Sequence, residues 1–204
     1  STEHLLFDAI RGVTKALNSN DSTAEDTIAT SLTAFGSDGF TVGSHTIING
    51  NNNNYASWNW KANGTGSSNS NGSITSTVSA NTTAGISIVK WTGSGANATI
   101  GHGLGKVPTM IIVKNLSSYN WNVYSVGLGA TKNLVLNEAE DTETQSYWQD
   151  TTPTSDVFYV NSNGNVNQSS TQMIAYCFHD VTGCSKFCST FVGNGNVNVT
   201  FVYT

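Results

Sequence analysis

Charged residues are scarce in this chain of 204 residues: Asp, Glu, Lys and Arg make up 10% of it, against about 25% in an average soluble domain. The net charge of −5 gives no sign of the basic surface on which nucleic-acid binding depends. Proline occurs only twice, and we find neither a signal-peptide pattern nor an apolar run of membrane length. The sequence therefore predicts no nucleic-acid partner and no membrane insertion.

Cysteine is also rare, and three residues are too few for a disulfide framework. Cys177 alternates with its neighbours in a run typical of a strand, so we expect a small packed side chain. Cys184 and Cys188 either form a disulfide or remain free thiols. The cysteines therefore do not determine whether the protein belongs to an oxidising or a reducing compartment.

Polarity comes instead from Asn, Ser, Thr and Gly. Twenty glycines, together with 5 Trp, 7 Tyr and 8 Phe, are typical of short strands joined by tight turns. Alternation predicts strands over 4–11, 85–92, 107–115 and 121–126. The motifs SDGFTVG and SDVFYV predict Ser-Asp turns that lead into further strands.

The strongest pattern is an internal repeat. Residues 129–178 read GATKNLVLN, SDVFYV and QMIAYCF with polar runs between them, and residues 12–60 read GVTKALNSN, SDGFTVG and YASWNW. Corresponding residues of the two stretches are separated by a spacing that varies by only one residue, which indicates a duplicated structural unit. The landmark pairs, 117 or 118 residues apart, are Lys15 and Lys132, Phe40 and Phe158, Trp58 and Tyr176, and Trp60 and Phe178.

The repeat predicts an all-β fold with little helix: antiparallel β-sandwich units of jelly-roll or lectin type, in tandem. We expect the rear half of a first unit over 1–64, a Gly/Ser/Asn-rich linker with an edge strand over 65–84, and a complete second unit over 85–183. Residues 184–204 match the start of a unit, because FVGNG at 191–195 repeats WTGSG at 91–95. Either the native protein extends at both ends, or 184–204 completes the first unit's sheet, within one chain or from a neighbour.

Ala56, Trp58 and Trp60 alternate to one face, as Ile174, Tyr176 and Phe178 do 118 residues later. The two segments agree on a large apolar face, so both are expected to point into a core.

Motifs for chemistry are weak. His4, His45, His102 and His179 show no metal-ligand spacing, so we predict no metal site, no cofactor and no catalytic residue. The acidic run over 138–143 is expected to be a solvated loop rather than a carboxylate pair or a Ca²⁺ site. Aromatic residues near turns can stack on sugars, and the predicted glycan-binding set is Tyr119, Trp121, Tyr147 and Trp148.

The segments NATIGHGLGKVPTMIIVKN, GATKNLVLN, SDVFYV and AYCFHDVTG carry a resemblance to a known family. The chain resembles a tandem β-sandwich domain of uncharacterised function found in tail-fibre-like and virion structural proteins of marine phages, cyanophages especially. That resemblance implies an extracellular, oligomeric virion component involved in host attachment. Trp58 and Trp60 depart from the family's Tyr-Cys-Phe pattern, and Cys184 and Cys188 are additions to it.

We therefore expect a non-enzymatic virion structural or tail-fibre-like protein. Its partners would be copies of itself, other virion proteins and a host-surface glycan. A carbohydrate-binding lectin-like module and a capsid decoration or self-assembling filament protein are the alternatives. A glycan depolymerase is the weakest of them, because it needs two carboxylates facing each other across a groove.

Overall fold

The computed structural model describes residues 3–139 and 142–187. Nearly all of its regular structure is β-strand, which confirms the predicted all-β class. None of the helices in this part of the chain has the length and apolar character needed to cross a membrane. The elements are β1 (Leu5–Leu6), β2 (Lys15–Asn18), β3 (Asp26–Thr27), β4 (Leu32–Phe35), β5 (Phe40–Val42), α1 (Thr46–Asn49), β6 (Ser67–Asn69), β7 (Ser76–Asn81), β8 (Ile86–Thr92), β9 (Ala98–Gly101), β10 (Met110–Asn115), β11 (Trp121–Ser125), β12 (Lys132–Val135), β13 (Glu143–Thr144), β14 (Val157–Val160), α2 (Gly164–Asn167) and β15 (Gln172–Phe178).

One large sheet organises the molecule. Its eight strands lie in the order β13-β12-β11-β10-β15-β8-β7-β6, and all neighbours are antiparallel. The central strand β15 pairs with β8 on one side and β10 on the other, so that Tyr176 lies between Ile88 and Ile112. Because side chains alternate along a strand, β15 supplies apolar residues to both faces of the sheet.

One face of the large sheet packs against β9 and β14, which form a two-stranded sheet. Phe158 of β14 meets Trp91 of β8 edge to face with ring centroids 5.7 Å apart. Trp148 packs on Tyr124 of β11 in the same manner, at 6.0 Å. This is the β-sandwich arrangement, in which two sheets enclose an apolar core.

The opposite face of the large sheet is covered by the N-terminal segment, in which β1, β2 and β3 form a small sheet. Leu17 is buried there, and Leu6 and Ile10 pack beside it. Their partners on the large sheet are Ile86, Ile88, Trp121, Ile174, Tyr176 and Phe178. The large sheet is therefore apolar on both faces, which explains the near-continuous burial of β8, β10 and β15.

Several local features recur at the repeat spacing. Lys15 donates to the Thr27 hydroxyl across 2.7 Å, and Lys132 donates to the Thr144 hydroxyl across 2.6 Å. The short helices α1 and α2 also begin 118 residues apart. These correspondences are local, and the division of the chain into tandem sandwich units stays a prediction.

The strand predicted over 4–11 is too long, because only Leu5 and Leu6 belong to β1. The Asp8 carboxylate accepts hydrogen bonds from the backbone N–H groups of Ile10 and Arg11 and so closes a turn. An Asp side chain that bonds the following backbone in this way competes with sheet pairing.

The segment predicted as a linker over 65–84 contains β6 and β7, and both belong to the large sheet. The edge strand expected within it, over SITSTVSA at 73–80, corresponds to β7, and the edge position is wrong because β7 pairs with β6 on one side and β8 on the other. In the last predicted segment, 184–204, the structure describes residues up to Phe187, and Cys188 lies outside the described residues.

Candidate interaction surface

Five of the eight exposed large apolar side chains in the described residues belong to one stretch of 26 residues, 35–60. We call this set the aromatic strip: Phe35, Phe40, Tyr55, Trp58 and Trp60. Trp58 is 77% exposed, and Trp60 is 59% exposed. Single exposed apolar residues are ordinary, whereas five exposed aromatic residues within 26 positions of the sequence are candidates for an interaction surface.

The first part of the strip is a hairpin. β4 and β5 pair so that Phe35 lies opposite Phe40. Gly36 donates its N–H to the Gly39 carbonyl across 2.7 Å and closes the turn between them. The two rings are therefore positioned by the register of the hairpin.

Tyr55 anchors the second part of the strip. Its hydroxyl accepts a hydrogen bond from the N–H of Gly50 at 2.7 Å and donates one to the Thr46 carbonyl at 2.9 Å. Tyr55 thus fastens the start of an extended segment to the ends of α1. At the other end, the Lys61 carbonyl accepts from Asn81, and Asn63 donates its N–H to Ser79 of β7.

Between these anchors, in the described part of the chain, the segment 54–60 has no regular secondary structure. Within the described residues, 54–60 make no backbone-to-backbone hydrogen bond and belong to no strand. Trp60 lies against Phe178 with ring centroids 6.2 Å apart, and Phe178 in turn packs on Phe187 at 4.8 Å. An extended segment whose N–H and C=O groups have no backbone partner among the described residues is a candidate template for strand addition.

The core-facing orientation predicted for Trp58 and Trp60 is wrong. Tyr176 and Phe178, their counterparts in the second sequence repeat, are 7% and 6% exposed within β15. Phe40 is 43% exposed, whereas its counterpart Phe158 is fully buried. The second repeat has β8, β9 and β10 around these positions, and no strands take those places beside the first repeat in the described chain.

The four residues of the predicted glycan-binding set do not form one surface. Trp121 is buried against the N-terminal segment, donates to the Asn18 carbonyl across 2.8 Å and stacks on Tyr176. Trp148 and Tyr147 are buried on the opposite face of the sheet, and Trp148 donates to the Lys132 carbonyl across 3.1 Å. Tyr119 is half-buried. A glycan role for this set stays a prediction, and the burial of both indoles gives it no support.

Lys114 has a structural position that sequence reasoning missed. Its side chain is completely buried, and Nζ donates to the carbonyl oxygens of Asn115, Ser117 and Tyr119 at 2.7–2.8 Å. Burial lowers the pKa of this ammonium to about 8, against the opposing attraction of Asp21. The motif IIVKN could have predicted this position, since a lysine inside an apolar strand needs hydrogen-bond acceptors close to its charge.

His102 of the GHGLG motif is also buried. Nδ1 accepts a hydrogen bond from the Leu104 N–H at 3.2 Å, so the ring proton is on Nε2, which points to the Thr154 carbonyl at 3.2 Å. Burial lowers the pKa of His102, although the Thr154 carbonyl and Asp156 oppose that shift. The imidazole therefore connects the glycine-rich hairpin to the loop before β14.

A buried polar cluster fixes the N-terminal segment on the sheet. The Asp8 carboxylate accepts from the Arg11 guanidinium and from the Tyr176 hydroxyl. Arg11 also donates to the carbonyls of Leu6 and Lys15 and contacts Glu25 at 3.3 Å. A buried ion pair of this kind adds little net stability, because the cost of desolvating the two charges offsets their attraction.

The described surface also carries shallow grooves. One of about 410 Å³ is lined by Glu3, Glu25 and Asp26 among others, and one of about 230 Å³ is lined mainly by hydroxyl groups with Lys90 and Gln172. No group of three or more potential metal ligands occurs within the described residues. In the acidic run over 138–143, Glu138 accepts from Asn120, whereas 140 and 141 lie outside the described residues.

A model of one protein family, described as a domain of unknown function (DUF7483), matches residues 1–204. The chain belongs to the DUF7483 family. Comparison with curated proteins and with solved structures gave no match to this DUF7483 chain. The family assignment covers the whole sequence and carries no activity with it.

Proposed function

We propose that this DUF7483 chain is a non-enzymatic structural module of an extracellular virion appendage of tail-fibre type, and that it contributes to attachment at the host surface. The resemblance of its motifs to tandem domains of phage tail-fibre-like proteins supports this role. The observation that carries it is that the residues of the sequence motifs have structural roles inside the fold. His102, Lys114 and Asn115 are buried, and each is hydrogen-bonded to backbone groups of the scaffold.

The exposed side chains of the aromatic strip also support a structural role. A module that builds an appendage needs surfaces that join it to its neighbours, and Trp58 and Trp60 provide an apolar one. The partners that fit are copies of this chain and other virion proteins. A host glycan at the exposed end of the appendage completes the proposed set of partners.

Immunogold electron microscopy of purified particles tests the proposal, using an antibody raised against the purified chain. We expect label along or at the tip of a tail appendage. Label spread over the capsid would favour a decoration protein instead. Particles that stay unlabelled, together with a protein that mass spectrometry detects only outside virions, would refute a virion role.

A further inference from the structure

The longest exposed run among the described residues is 51–61, in which all eleven residues are exposed. Positions 53–63 belong to no helix, strand or turn, and the backbone groups of 54–60 make no hydrogen bond within the described part of the chain. Most peptide bonds of a folded protein reach a protease only after local unfolding. The segment 54–60 needs no such step, because its backbone is already accessible.

The three aromatic residues of this segment differ in how firmly they are held. Tyr55 is fixed by two hydrogen bonds of its hydroxyl to the ends of α1. Trp60 packs edge to face on Phe178, with ring centroids 6.2 Å apart. Trp58 is 77% exposed, and its ring has no aromatic contact or hydrogen bond among the described residues. Trp58 is therefore free to enter the apolar pocket in which an endopeptidase of aromatic specificity holds the residue before the bond it cuts.

A protease that cuts after basic residues meets a less accessible bond at Lys61. The Lys61 carbonyl accepts a hydrogen bond from the Asn81 side chain at 2.9 Å, and Asn63 donates its N–H to the Ser79 hydroxyl at 2.8 Å. Ala62, between them, packs against the core of the large sheet. The bond between Lys61 and Ala62 thus lies in the anchored end of the segment.

An exposed ring alone does not make a cutting site. Phe35 and Phe40 are each 43% exposed, but they lie opposite each other in the paired strands β4 and β5. A hairpin strand must separate from its partner before a protease can bind it. Within the aromatic strip, an unheld ring and an unpaired backbone coincide at Trp58.

The chain on each side of the segment is fixed to the large sheet independently. On the N-terminal side, Leu17 is buried against that sheet, and the Asp8 carboxylate accepts a hydrogen bond from the Tyr176 hydroxyl. On the C-terminal side, β6 and β7 are strands of the sheet itself. A cut within 54–60 therefore breaks none of the contacts that hold either piece.

We propose that the peptide bond between Trp58 and Asn59 is a processing site, cut by an endopeptidase that selects an aromatic residue before the bond, and that the two pieces remain one complex. Water adds across the bond. Its oxygen joins the Trp58 carbonyl carbon to give a carboxylate, and the Asn59 nitrogen leaves with both protons of the water as an ammonium group. Trp58 and Trp60 then belong to different pieces, so the cut divides the aromatic strip. The inference is independent of the proposed virion role.

Limited digestion of the native full-length chain with chymotrypsin tests the site, with trypsin as the parallel digestion. Mass spectrometry of the intact products should place the first chymotrypsin cut before residue 188 between Trp58 and Asn59, and trypsin should leave Lys61 uncut over the same time. Size-exclusion chromatography should give both chymotrypsin pieces in one peak in native buffer and in two peaks in urea.

Two variants separate the residue from its surroundings. Trp58→Ala should slow the cut after position 58 by at least about tenfold, because a methyl group leaves most of the apolar pocket of the protease empty. Phe40→Ala is the matched control, since Phe40 is an exposed ring of the strip outside the segment, and it should be cut after Trp58 at the wild-type rate. Circular dichroism verifies that both variants are folded.

The proposal would be overturned by a first cut in the β4–β5 hairpin, by tryptic cutting at Lys61 as fast as the cut at Trp58, or by pieces that separate in native buffer. A Trp58→Ala variant that is cut after position 58 at the wild-type rate would also reject it. In protein isolated from its natural source, N-terminal sequencing should detect a chain that begins at Asn59. A natural protein that is uncut throughout would show an accessible segment that is not processed, and would reject the processing site.

Discussion

The hydroxyl of Tyr176 donates a hydrogen bond to the Asp8 carboxylate across 2.7 Å, although 168 residues separate them in the chain. Tyr176 lies in the central strand of the large sheet, and Asp8 lies in the turn after β1. Burial and the neighbouring Asp8 charge raise the pKa of Tyr176 well above its usual value, so the phenol stays protonated as a donor. This bond fixes the N-terminal segment on the sheet.

Replacing Tyr176 with Phe should lower the free energy of unfolding by about 1.5 kcal/mol, near the lower limit for a hydrogen bond to a charged group. The loss stays small because Asp8 keeps three donors, the N–H groups of Ile10 and Arg11 and the Arg11 side chain. Urea denaturation measures the change. Tyr159→Phe is the control, since Tyr159 is half-buried and its hydroxyl has no hydrogen bond within the described residues. Equal losses for both variants would contradict a specific role for the Tyr176 bond.

The sequence predicted the local elements better than their partners. Alternation in QMIAYCF predicted β15 with Ile174, Tyr176 and Phe178 on one apolar face, and the SDVFYV motif predicted a turn leading into the strand that is β14. These successes share a cause: a strand buried on one face carries apolar residues with a period of two, and a strand buried on both faces carries a near-continuous apolar run.

The predictions that failed concern which strands lie beside a given segment. YASWNW has the same period as QMIAYCF, yet Trp58 is exposed and Tyr176 is buried. Burial depends on which strands lie alongside, and that information is absent from the segment itself. For the same reason, the docking of β1–β3 on the outer face of the large sheet, and with it the burial of Trp121, could not be predicted from local pattern.

Lys114 provides a second test, because its ammonium satisfies three carbonyl oxygens of the loop after β10. Lys114→Met leaves those acceptors without a donor and should destabilise the protein by at least about 2 kcal/mol. The exposed residue Lys106 offers the matched control, Lys106→Met, with an expected change within about 0.5 kcal/mol. An unchanged stability in Lys114→Met would contradict the structural role.

The titration of Lys114 is a separate prediction. Its pKa is lowered to about 8 by burial from the usual 10.5. Between those values the unfolded chain binds more protons than the native one, so the contribution of Lys114 to stability rises with pH in that window. NMR of the lysine side chains should show one ammonium that titrates near 8 in the wild type and is missing in Lys114→Met. A full set of lysines titrating near 10.5 would refute the buried charge.

Cys177 should be inert in the native protein. Its thiol is buried in the apolar core on one face of the large sheet, and burial raises the pKa of the thiol to about 12. The thiolate is the reactive form, so a variant with Cys184→Ser and Cys188→Ser should react with a thiol reagent only after denaturation. The wild type should show rapid labelling at Cys184, which is exposed. Rapid labelling of the single-thiol variant would place Cys177 outside the core.

The stability of this chain should decline as the pH falls through the range in which His102 protonates in the unfolded state. The folded-state pKa of His102 lies below 6.5 because of burial. The unfolded chain therefore binds more protons, and the stabilising contribution of His102, complete above pH 6.5, decreases towards its folded pKa. Asp21 and Asp180, whose pKa values lie below 3.8, keep their stabilising contribution throughout this range and lose it only at lower pH.

The comparison that isolates His102 is the variant His102→Asn, measured by urea denaturation at several pH values between 5 and 7. We expect the variant to be less stable than the wild type at pH 7, because the bonds to Leu104 and Thr154 are disturbed. We also expect a shallower slope of stability against pH, because the group that stays neutral in the native state has been removed. A variant with the full wild-type slope would assign the pH dependence to other groups, whereas loss of stability with a flattened slope is the combined signature of a buried neutral imidazole.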